Sequence, residues 1–257
     1  MRIALGIEYD GTDFPGWQRL THATAIQNVV EEALSFVADH PVEVTCAGRT
    51  DSGVHAQCQV VHFDTQAQRS ERSWVLGVNS RLPQSIALRW AKPVSDEFHA
   101  RFRAVARRYR YVIVNRPMRP ALDARYVAWE RAALDADAMQ RAAQALIGEH
   151  DFSAFRTIAC QARTPQRNVH EIAIARDGDR ILLEIQANAF LHHMVRNIVG
   201  SLLPIGRGEQ PEAWIAQLLD GRDRALAGPT APPQGLTFLR PLYPPQYGLP
   251  DEVTLRT

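Results

Sequence analysis

A predicted β-hairpin in the second half of the chain limits the folds that this sequence can adopt. Residues 169–176 and 180–187 both have the alternating apolar pattern of strands, and Asp177-Gly178-Asp179 between them favours a tight turn. A hairpin pairs its strands antiparallel, whereas neighbouring strands of a doubly wound parallel sheet need a crossover connection. The sequence therefore predicts an α+β fold with a mixed or antiparallel sheet.

Further predicted strands and helices are interleaved along the chain. Strands are predicted at residues 2–9, 42–47, 58–64, 85–91, 107–115 and 236–239. Helices are predicted at about residues 26–37, 74–79, 135–147, 191–203 and 211–219. Thr24 and Gln27 are expected to form a capping box at the start of the first of these helices.

The chain is expected to divide into two α/β halves around a proline-marked connector. The N-terminal half would comprise residues 1–116 and the C-terminal half residues 132–257, with the connector at 117–131. A length of 257 residues is enough for one large domain or two small ones with buried cores. We expect a central sheet flanked by helices.

The basic residues are almost all arginine, since Lys92 is the only lysine among 29 basic residues. Two explanations stay open: the base composition of the genome, or a partner that guanidinium groups suit, such as phosphate and nucleotide bases. Arginines are clustered at residues 101–110 and around residues 156–167. Because acidic residues elsewhere reduce the net charge to +1, the sequence is compatible with a nearly neutral protein that has a basic cleft between its halves.

The sequence favours a soluble, cytoplasmic protein. No apolar run approaches the length of a membrane-spanning helix, and the N-terminus does not have the layout of a signal peptide. Cys46, Cys58 and Cys160 are an odd number of cysteines without a tight repeat spacing. This argues against a disulfide framework and fits a reducing compartment.

The loop Cys46–Ala56, CAGRTDSGVHA, is the most informative segment for function. Gly48 and Gly53 allow a tight turn and a close approach to a ligand. The Asp51 carboxylate beside Arg49 can stay ionised, which is the state that a nucleophile or general base requires. On spacing alone, however, the favoured interpretation is a turn residue, Asp51, in an ion pair with Arg49.

Five segments of the chain, in the right order, resemble the tRNA pseudouridine synthase A family. The segment with Asp51 resembles the signature loop of the family, with one departure: Ser52 stands where alanine is usual. The five segments are Tyr9–Gln18, Ala47–Ala56, Phe98–Tyr111, Ala187–Leu202 and Gly228–Pro244.

This resemblance implies a pseudouridine synthase fold and an isomerase that converts uridine to pseudouridine at positions 38, 39 and 40 of the tRNA anticodon stem-loop. It implies that Asp51 is the nucleophile and that Tyr109 packs against the flipped base and helps to move a proton. It further implies that Arg196 pairs with the catalytic aspartate and that Arg49 steadies the gap left by the extruded base. Whether Asp51 attacks the base or the sugar stays open.

The arginines near the strand at 107–115 are expected to contact RNA, and Arg107, Arg108 and Arg110 are the predicted substrate-binding members. If the strand extends without a break, Arg101, Arg103 and Arg107 share one face with Tyr109, and Arg108 and Arg110 point to the other face. An alternative that stays open is that at least half of these arginines form an ordinary solvated surface.

The resemblance also implies a tRNA partner, a homodimer and no cofactor, because the reaction is an isomerisation without redox change or group transfer. A metal site is not expected. Histidines and cysteines such as His192, His193 and Cys58 match no standard zinc spacing. Two rival functions are possible for such a chain: a non-catalytic RNA-binding module, and a glycosidic hydrolase that uses Asp51 and releases free base.

Overall fold

The computed structural model describes residues 1–255, which form two compact units. Unit 1 comprises Met1–Ala106 and the described part of Thr237–Thr257, and unit 2 comprises Arg107–Leu236. These bounds differ from those of the predicted halves. The last two residues of the predicted C-terminal half, 256 and 257, lie outside the described part of the chain. The predicted connector at 117–131 lies inside unit 2, and the C-terminal segment belongs to unit 1.

Strands and short helices alternate along the chain, as the sequence pattern predicted. The strands are β1 (Arg2–Tyr9), β2 (Thr45–Cys46), β3 (His55–Asp64), β4 (Ile86–Val94), β5 (Ala106–Asn115), β6 (Ala128–Glu130), β7 (Gly148–Asp151), β8 (Gln166–Asp177), β9 (Arg180–Ala187) and β10 (Leu236–Leu242). The helices are α1 (Ile26–Ala38), α2 (Glu71–Asn79), α3 (Ala136–Ala143), α4 (Met194–Gly206) and α5 (Trp214–Gly221).

The sheet of unit 1 has the strand order β4-β1-β3-β10 and is mixed. β1 runs antiparallel to both β3 and β4, whereas β10 pairs in parallel with β3 through Thr237↔His55 and Phe238↔Ala56. One face of β3 packs on the helices, where Phe63 meets Trp74 of α2 edge-on with ring centroids 5.3 Å apart. Cys58 and Val60 alternate with Phe63, so they lie on the opposite face, in a core cluster that also includes Phe98 and Tyr243.

The sheet of unit 2 has the order β5-β9-β8-β7, with antiparallel pairing between these neighbours. The short strand β6 pairs in parallel with β5, so this sheet is mixed as well. The predicted hairpin is confirmed: Asp177 pairs with Arg180 at the end of β8 and β9, and Gly178 has a φ of +58°. The α+β class predicted from the hairpin is therefore confirmed.

Several element boundaries differ from the prediction for identifiable reasons. The strand predicted at 42–47 is reduced to β2, because the backbone N–H groups of Val42 and Val44 donate to the side chains of Ser35 and Glu31 on α1. The strands β6 and β7 were not predicted. They are only three and four residues long and have no clear apolar alternation.

The two helix starts also need correction. The predicted capping box of Thr24 and Gln27 is wrong: Ala25 is the N-cap residue of α1, and its N–H donates to the side-chain oxygen of Asn28 at 3.1 Å. α4 begins at Met194 rather than near residue 191, because His193 before it has a left-handed φ of 61°. Among residues 1–255, no helix has the length and apolar character that crossing a membrane requires.

Candidate active site

The loop that contains Asp51 connects β2 to β3 in unit 1 and is fastened to the segment around residues 14–17. Gly16 and Asp51 form an isolated antiparallel bridge. Trp17 N–H donates to the Thr50 carbonyl at 3.0 Å, and Gly53 N–H donates to the Phe14 carbonyl at 3.3 Å. The backbone on both sides of Asp51 is therefore held by a segment that lies more than 30 residues earlier in the chain.

Gly16 makes this close approach possible. Its φ is +113°, a conformation that side-chain-bearing residues rarely adopt. A Cβ at this position would lie 2.8 Å from the Thr50 carbonyl oxygen, which is closer than real Cβ contacts. Gly16, the second glycine in the sequence DGTDFPGWQ, is thus required by the close contact with the loop of Asp51.

Buried polar contacts from β1 and β3 hold the loop in place. The Tyr9 and Thr50 hydroxyls are hydrogen-bonded at 2.8 Å in a buried position, directly beside Asp51 in the chain. From β3, the wholly buried Gln59 donates its side-chain N–H to the Gly48 carbonyl at 2.5 Å. Trp17 packs against Tyr9, with ring centroids 5.8 Å apart. Asp51 itself is half-buried, and Arg49 is exposed.

The surroundings of the loop are basic. Burial raises the pKa of the Cys46 thiol to about 11, and the positive charges of Arg49 and Arg101 act against this rise. Both guanidinium groups are therefore close enough to Cys46 to act on it electrostatically. Nearby, the Nδ1 atom of His55 lies 3.1 Å from Gly11 N and 3.2 Å from Asp10 Oδ1.

In unit 2, the predicted residues of β5 divide between its two faces as the alternation of the strand requires. Tyr109 is only 8% exposed, and Phe190 meets its ring edge-on with centroids 5.0 Å apart. Arg107 donates to the Asn188 carbonyl at 2.8 Å. Both residues thus contact the segment directly after β9. This segment belongs to Ala187–Leu202, one of the five segments that resemble the family.

The opposite face of β5 carries a cluster of ion pairs that the sequence pattern did not predict. Arg108 Nη2 lies 2.6 Å from Glu184 Oε2, and Arg110 Nη2 lies 2.5 Å from Glu184 Oε1. Burial would raise the pKa of Glu184, but the hydrogen bonds from Arg110 and Arg108 outweigh it, so its pKa lies below the usual range. Arg110 and Glu184 are 74 positions apart in the chain, so no local pattern predicts the pairing of β5 with β9 that places them opposite each other.

Two of the clustered arginines do not lie on β5. The strand begins at Ala106, and Arg101 and Arg103 lie in the turn before it. The condition of an unbroken strand is therefore not met, and these two residues do not share a strand face with Arg107 and Tyr109. The alternation rule holds only while the backbone remains extended.

Arg196 lies half-buried on α4, where its guanidinium Nε donates to the Ala231 carbonyl at 2.8 Å. The next carbonyl, that of Pro232, accepts a hydrogen bond of 2.8 Å from the Tyr111 hydroxyl. Burial raises the pKa of Tyr111, and the charge of Arg196 opposes this. Arg196 is thus held near the side of β5 that carries Tyr109 and Tyr111, and the wholly buried Tyr111 is a core residue.

The contact between α4 and the segment at 228–231 depends on two glycines. A Cβ at Gly200 would lie 1.6 Å from the Pro229 carbonyl oxygen, and one at Gly228 would lie 2.2 Å from the Gly200 carbonyl oxygen. The N–H of Ala231 also donates to the Arg196 carbonyl at 3.1 Å. Close backbone packing therefore determines where Arg196 lies within unit 2.

Comparisons with known proteins relate nearly the whole chain to one family. The profile of a family described as tRNA pseudouridine synthase matches residues 6–103 and 142–244. The tRNA pseudouridine synthase A of Stenotrophomonas maltophilia (strain K279a) is 61% identical over 256 residues, which are 99% of this chain and 100% of that protein. The protein of the same name from Xanthomonas euvesicatoria pv. vesicatoria (strain 85-10) is 60% identical over the same shares of both chains.

Among solved structures, a chain of an H/ACA RNP bound to a substrate RNA containing 2'-deoxyuridine is 12% identical, with a TM-score of 0.38. The match covers 78% of this chain and 44% of that chain.

Proposed function

Since the chain belongs to the tRNA pseudouridine synthase family, as the resemblance predicted, we propose that its targets are uridines 38, 39 and 40 of the tRNA anticodon stem-loop. The activity of this family is the conversion of uridine to pseudouridine in tRNA. The observation that supports the proposal most directly is the loop of Asp51, fastened on both sides of the carboxylate to the segment around Gly16.

The proposed reaction needs one ionised carboxylate and a base that is free to turn. Asp51 attacks the target nucleotide at the base or the sugar, the bond between N1 of uracil and the ribose breaks, and the held base rotates. C5 then bonds to the same ribose carbon, and the bond between the nucleotide and Asp51 breaks, which restores the free carboxylate. The proton on C5 is lost and N1 gains one, so atoms and electrons balance without an oxidant or a transferred group. For this reason we expect no cofactor and no metal.

We propose that Tyr109 packs against the extruded base and that its phenol takes part in moving the C5 proton. The nearly complete burial of Tyr109 and its contact with Phe190 support a fixed ring rather than a mobile surface residue. Tyr111, on the same strand face, is wholly buried, with its hydroxyl bonded to Pro232, which leaves Tyr109 as the better candidate on β5.

We propose that two arginines support the reaction in different ways. Arg196, fixed by the carbonyl of Ala231, stabilises the ionised form of the catalytic aspartate. Arg49, which is exposed, steadies the RNA where the target base has left its stack. Extruding a base costs a few kcal/mol, which contacts of this kind must offset.

The three arginines of β5 are proposed substrate contacts with unequal support. Arg107 remains the strongest candidate, since it lies on the face of Tyr109. Arg108 and Arg110 share the carboxylate of Glu184, so part of their charge is already compensated within unit 2. Their contribution to RNA binding is therefore expected to be smaller than that of Arg107.

The remaining proposals concern the setting of the enzyme. We propose tRNA as the partner, a homodimer as the assembly, and the cytoplasm as the location. The tRNA follows from the name of the relatives, which are identical at about three residues in five. The dimer and the location follow from the family resemblance and from the cysteine usage of the chain.

The decisive experiment uses the purified protein and an unmodified tRNA transcript, without added cofactor or metal. We expect pseudouridine at positions 38–40 with the wild type and none with Asp51→Asn, because the amide cannot act as a nucleophile. Asp39→Asn is the matched control. Asp39 is an exposed residue with a left-handed φ of 60° at the end of α1, and asparagine tolerates that conformation.

Three outcomes would contradict the proposed chemistry. Full activity of Asp51→Asn would exclude Asp51 as the nucleophile. Release of free uracil would indicate a glycosidic hydrolase, and tight tRNA binding without any pseudouridine would indicate a binding module. Pseudouridine at other positions would leave the chemistry intact and overturn only the choice of targets.

A further inference from the structure

The turn between β4 and β5 presents an exposed aromatic side chain. Phe102 is 73% exposed, although phenylalanine is normally buried. Its ring stacks on that of His99, with ring centroids 4.2 Å apart and an angle of 31° between the planes. One face of the Phe102 ring is thus covered by a second aromatic ring, while most of the side chain remains in solvent.

This pair of rings is held in a fixed position. The Nδ1 atom of His99 accepts hydrogen bonds from the backbone N–H groups of Arg101 and Phe102, both at 3.2 Å. Beneath it, the His62 ring lies 4.8 Å from the His99 ring, and His62 Nδ1 accepts from Ala100 N–H at 3.1 Å. The turn therefore does not need to become ordered before it binds a ligand, which lowers the entropic cost of binding.

The two imidazoles that support Phe102 are neutral at physiological pH. In both rings Nδ1 is an acceptor, which requires its lone pair. Burial lowers the pKa of His62 to about 4, and burial also lowers the pKa of His99. The ring stack is therefore an uncharged aromatic surface, and the charge at this turn comes from its arginines.

Two arginines are the sequence neighbours of Phe102. Arg101 and Arg103 are both exposed, and the guanidinium carbon of Arg101 lies 5.6 Å from the centre of the Phe102 ring. Arg103 is oriented by a hydrogen bond of 3.1 Å from its Nε to the Glu97 carbonyl. An aromatic ring beside a guanidinium group, with a second arginine next to it in the sequence, is suited to a stacked base with adjacent phosphates.

The turn lies beside the loop of Asp51 within unit 1. The charges of Arg101 and Arg49 both act on the thiol of Cys46, the residue at the end of β2 that leads into that loop. In addition, His62, which supports the turn, pairs across the sheet with Thr45 of β2. A ligand on Phe102 would therefore be close to a nucleotide at the catalytic loop.

From these observations we propose that His99–Arg103 is a nucleotide-binding turn, in which Phe102 stacks on an unpaired base of the RNA substrate while Arg101 and Arg103 contact the adjacent phosphates. The inference rests on the proposed function for the identity of the RNA. An RNA base is favoured over an apolar protein segment, because the ring offers a stacking surface for a base and the arginines on both sides of it in the sequence suit the adjacent phosphates.

The test compares substitutions at Phe102 by their affinity for an unmodified tRNA transcript and by steady-state kinetics. Stacking contributes enough that Phe102→Ala should raise the Kd and KM for tRNA about tenfold, with kcat changed much less. Phe102→Leu keeps the apolar bulk but has no ring on which a base can stack, so it should bind tRNA nearly as weakly as Phe102→Ala. Phe102→Trp should restore the wild-type Kd, because a larger ring stacks at least as well.

A matched control is available in Phe36 of α1. This residue is 62% exposed, and the guanidinium of Arg81 lies 4.0 Å from the centre of its ring. α1 and α2 cover the helical face of the unit 1 sheet, opposite to the face that includes Phe98. Phe36→Ala should therefore leave the Kd for tRNA unchanged, and the thermal stability of both alanine variants should be close to that of the wild type.

A photo-crosslinking residue at position 102 provides a second readout, which should attach to one defined nucleotide of the tRNA. An unchanged Kd in Phe102→Ala, or full affinity of Phe102→Leu, would overturn the inference. So would a change of oligomeric state in Phe102→Ala, which would indicate a protein contact. If the wild type binds tRNA through Phe102 but forms no pseudouridine, the proposed function fails and this inference stands. If the wild type forms pseudouridine normally and Phe102→Ala has an unchanged Kd for tRNA, the proposed function stands and this inference fails.

Discussion

At the scale of single residues, the residue beside the proposed nucleophile is fixed by a buried hydrogen bond. The Thr50 hydroxyl bonds to the Tyr9 hydroxyl at 2.8 Å, and Thr50 immediately precedes Asp51. A displacement of the Thr50 backbone would move Asp51, and misplacement of a reacting group by about 1 Å can lower a rate about a hundredfold. The hydroxyl pair therefore has a role in activity as well as in stability.

We expect Thr50→Val to lower the free energy of unfolding by about 1 kcal/mol and to reduce kcat more than it changes the KM for tRNA. Thr50→Ser keeps the hydroxyl and should retain most of the activity. The double-mutant cycle with Tyr9→Phe, followed by chemical denaturation, should give a coupling energy of about 1 kcal/mol. Strict additivity of the two substitutions would show that the hydroxyls do not interact in solution.

A second prediction at this scale concerns His62 and acid. Burial, with smaller contributions from the charges of His99 and Arg2, lowers the pKa of His62 to about 4 from 6.5. Between these two pH values the unfolded chain binds a proton that the folded protein does not bind, so stability decreases as pH falls through this window. Above pH 6.5 the group is neutral in both states and has no effect.

The expected size of this effect is of the order of 3 kcal/mol between pH 7 and pH 4. His62→Asn retains an acceptor near the position of Nδ1 but does not titrate, so its free energy of unfolding should decrease less over the same range. Denaturation curves of both proteins at several pH values measure the difference. Parallel pH dependence of the two proteins would show that His62 is protonated in the folded state.

At the scale of elements, the sequence predicted those features that depend only on neighbouring residues, such as turns and the alternation of side chains along a strand. The hairpin of β8 and β9 was predicted because a turn sequence and two alternating runs are contiguous. The opposite faces of Tyr109 and Arg110 on β5 followed from strand alternation, and the ion pair with Glu184 confirms the second face. The turn that contains Phe102 was not predicted, since alternation alone does not reveal where a chain leaves a strand.

The contacts of α4 depend on atoms that no local pattern reveals. Gly200 appears in the sequence as a weak point of a helix, yet the Pro229 carbonyl lies where its Cβ would be. We expect Gly200→Ala to destabilise the protein by about 3 kcal/mol or more, since a clash with backbone cannot be relieved by a rotamer change. Activity should decrease as well, because Arg196 and Ala231 exchange hydrogen bonds across this contact.

Gly221→Ala, at the end of α5, is the comparison variant. No atom lies within 4 Å of a Cβ placed there, and its φ is not in the left-handed region. This variant should be neutral or slightly stabilising, by a few tenths of a kcal/mol up to about 1 kcal/mol. Thermal unfolding of both variants tests the pair, and equal melting temperatures would refute the close approach at Gly200.

At the scale of the whole molecule, unit 1 is completed by the returning C-terminal segment. β10 adds to the sheet beside β3, and the Tyr243 hydroxyl donates to the Ala100 carbonyl at 2.6 Å. Further along, the carboxylate of Glu252 accepts from Trp90 Nε1 at 2.9 Å and lies 3.0 Å from Arg89 Nη2. Pairing between strands so distant in sequence is not readable from local patterns, which explains why the predicted halves had different bounds.

The reactivity of Cys58 measures whether the C-terminal segment stays packed on the rest of unit 1. It is 1% exposed, and burial raises the pKa of its thiol to about 12, so it should be unreactive towards thiol reagents in the folded protein. Glu252→Ala removes the acceptor of Trp90 and one end of the ion pair with Arg89. We expect a loss of about 1–3 kcal/mol in stability and a faster reaction of Cys58 under native conditions.

Glu252→Gln keeps an acceptor for Trp90 and should lie between the wild type and the alanine variant in the rate of Cys58 modification. Mass spectrometry of the labelled peptide distinguishes Cys58 from Cys46 and Cys160. An unchanged labelling rate in Glu252→Ala would show that the segment after Tyr243 is held by other contacts.

The division of the chain has a further consequence during synthesis on the ribosome. Unit 2 is continuous from Arg107 to Leu236, whereas unit 1 needs β10, which follows it. At a translation rate of about 5–20 residues per second, the sheet of unit 1 must wait on the order of ten seconds for its partner strand after β4 has been made. During that interval the start of β3, where His55 and Ala56 later pair with β10, lacks this partner strand and is a target for chaperones in the nascent chain.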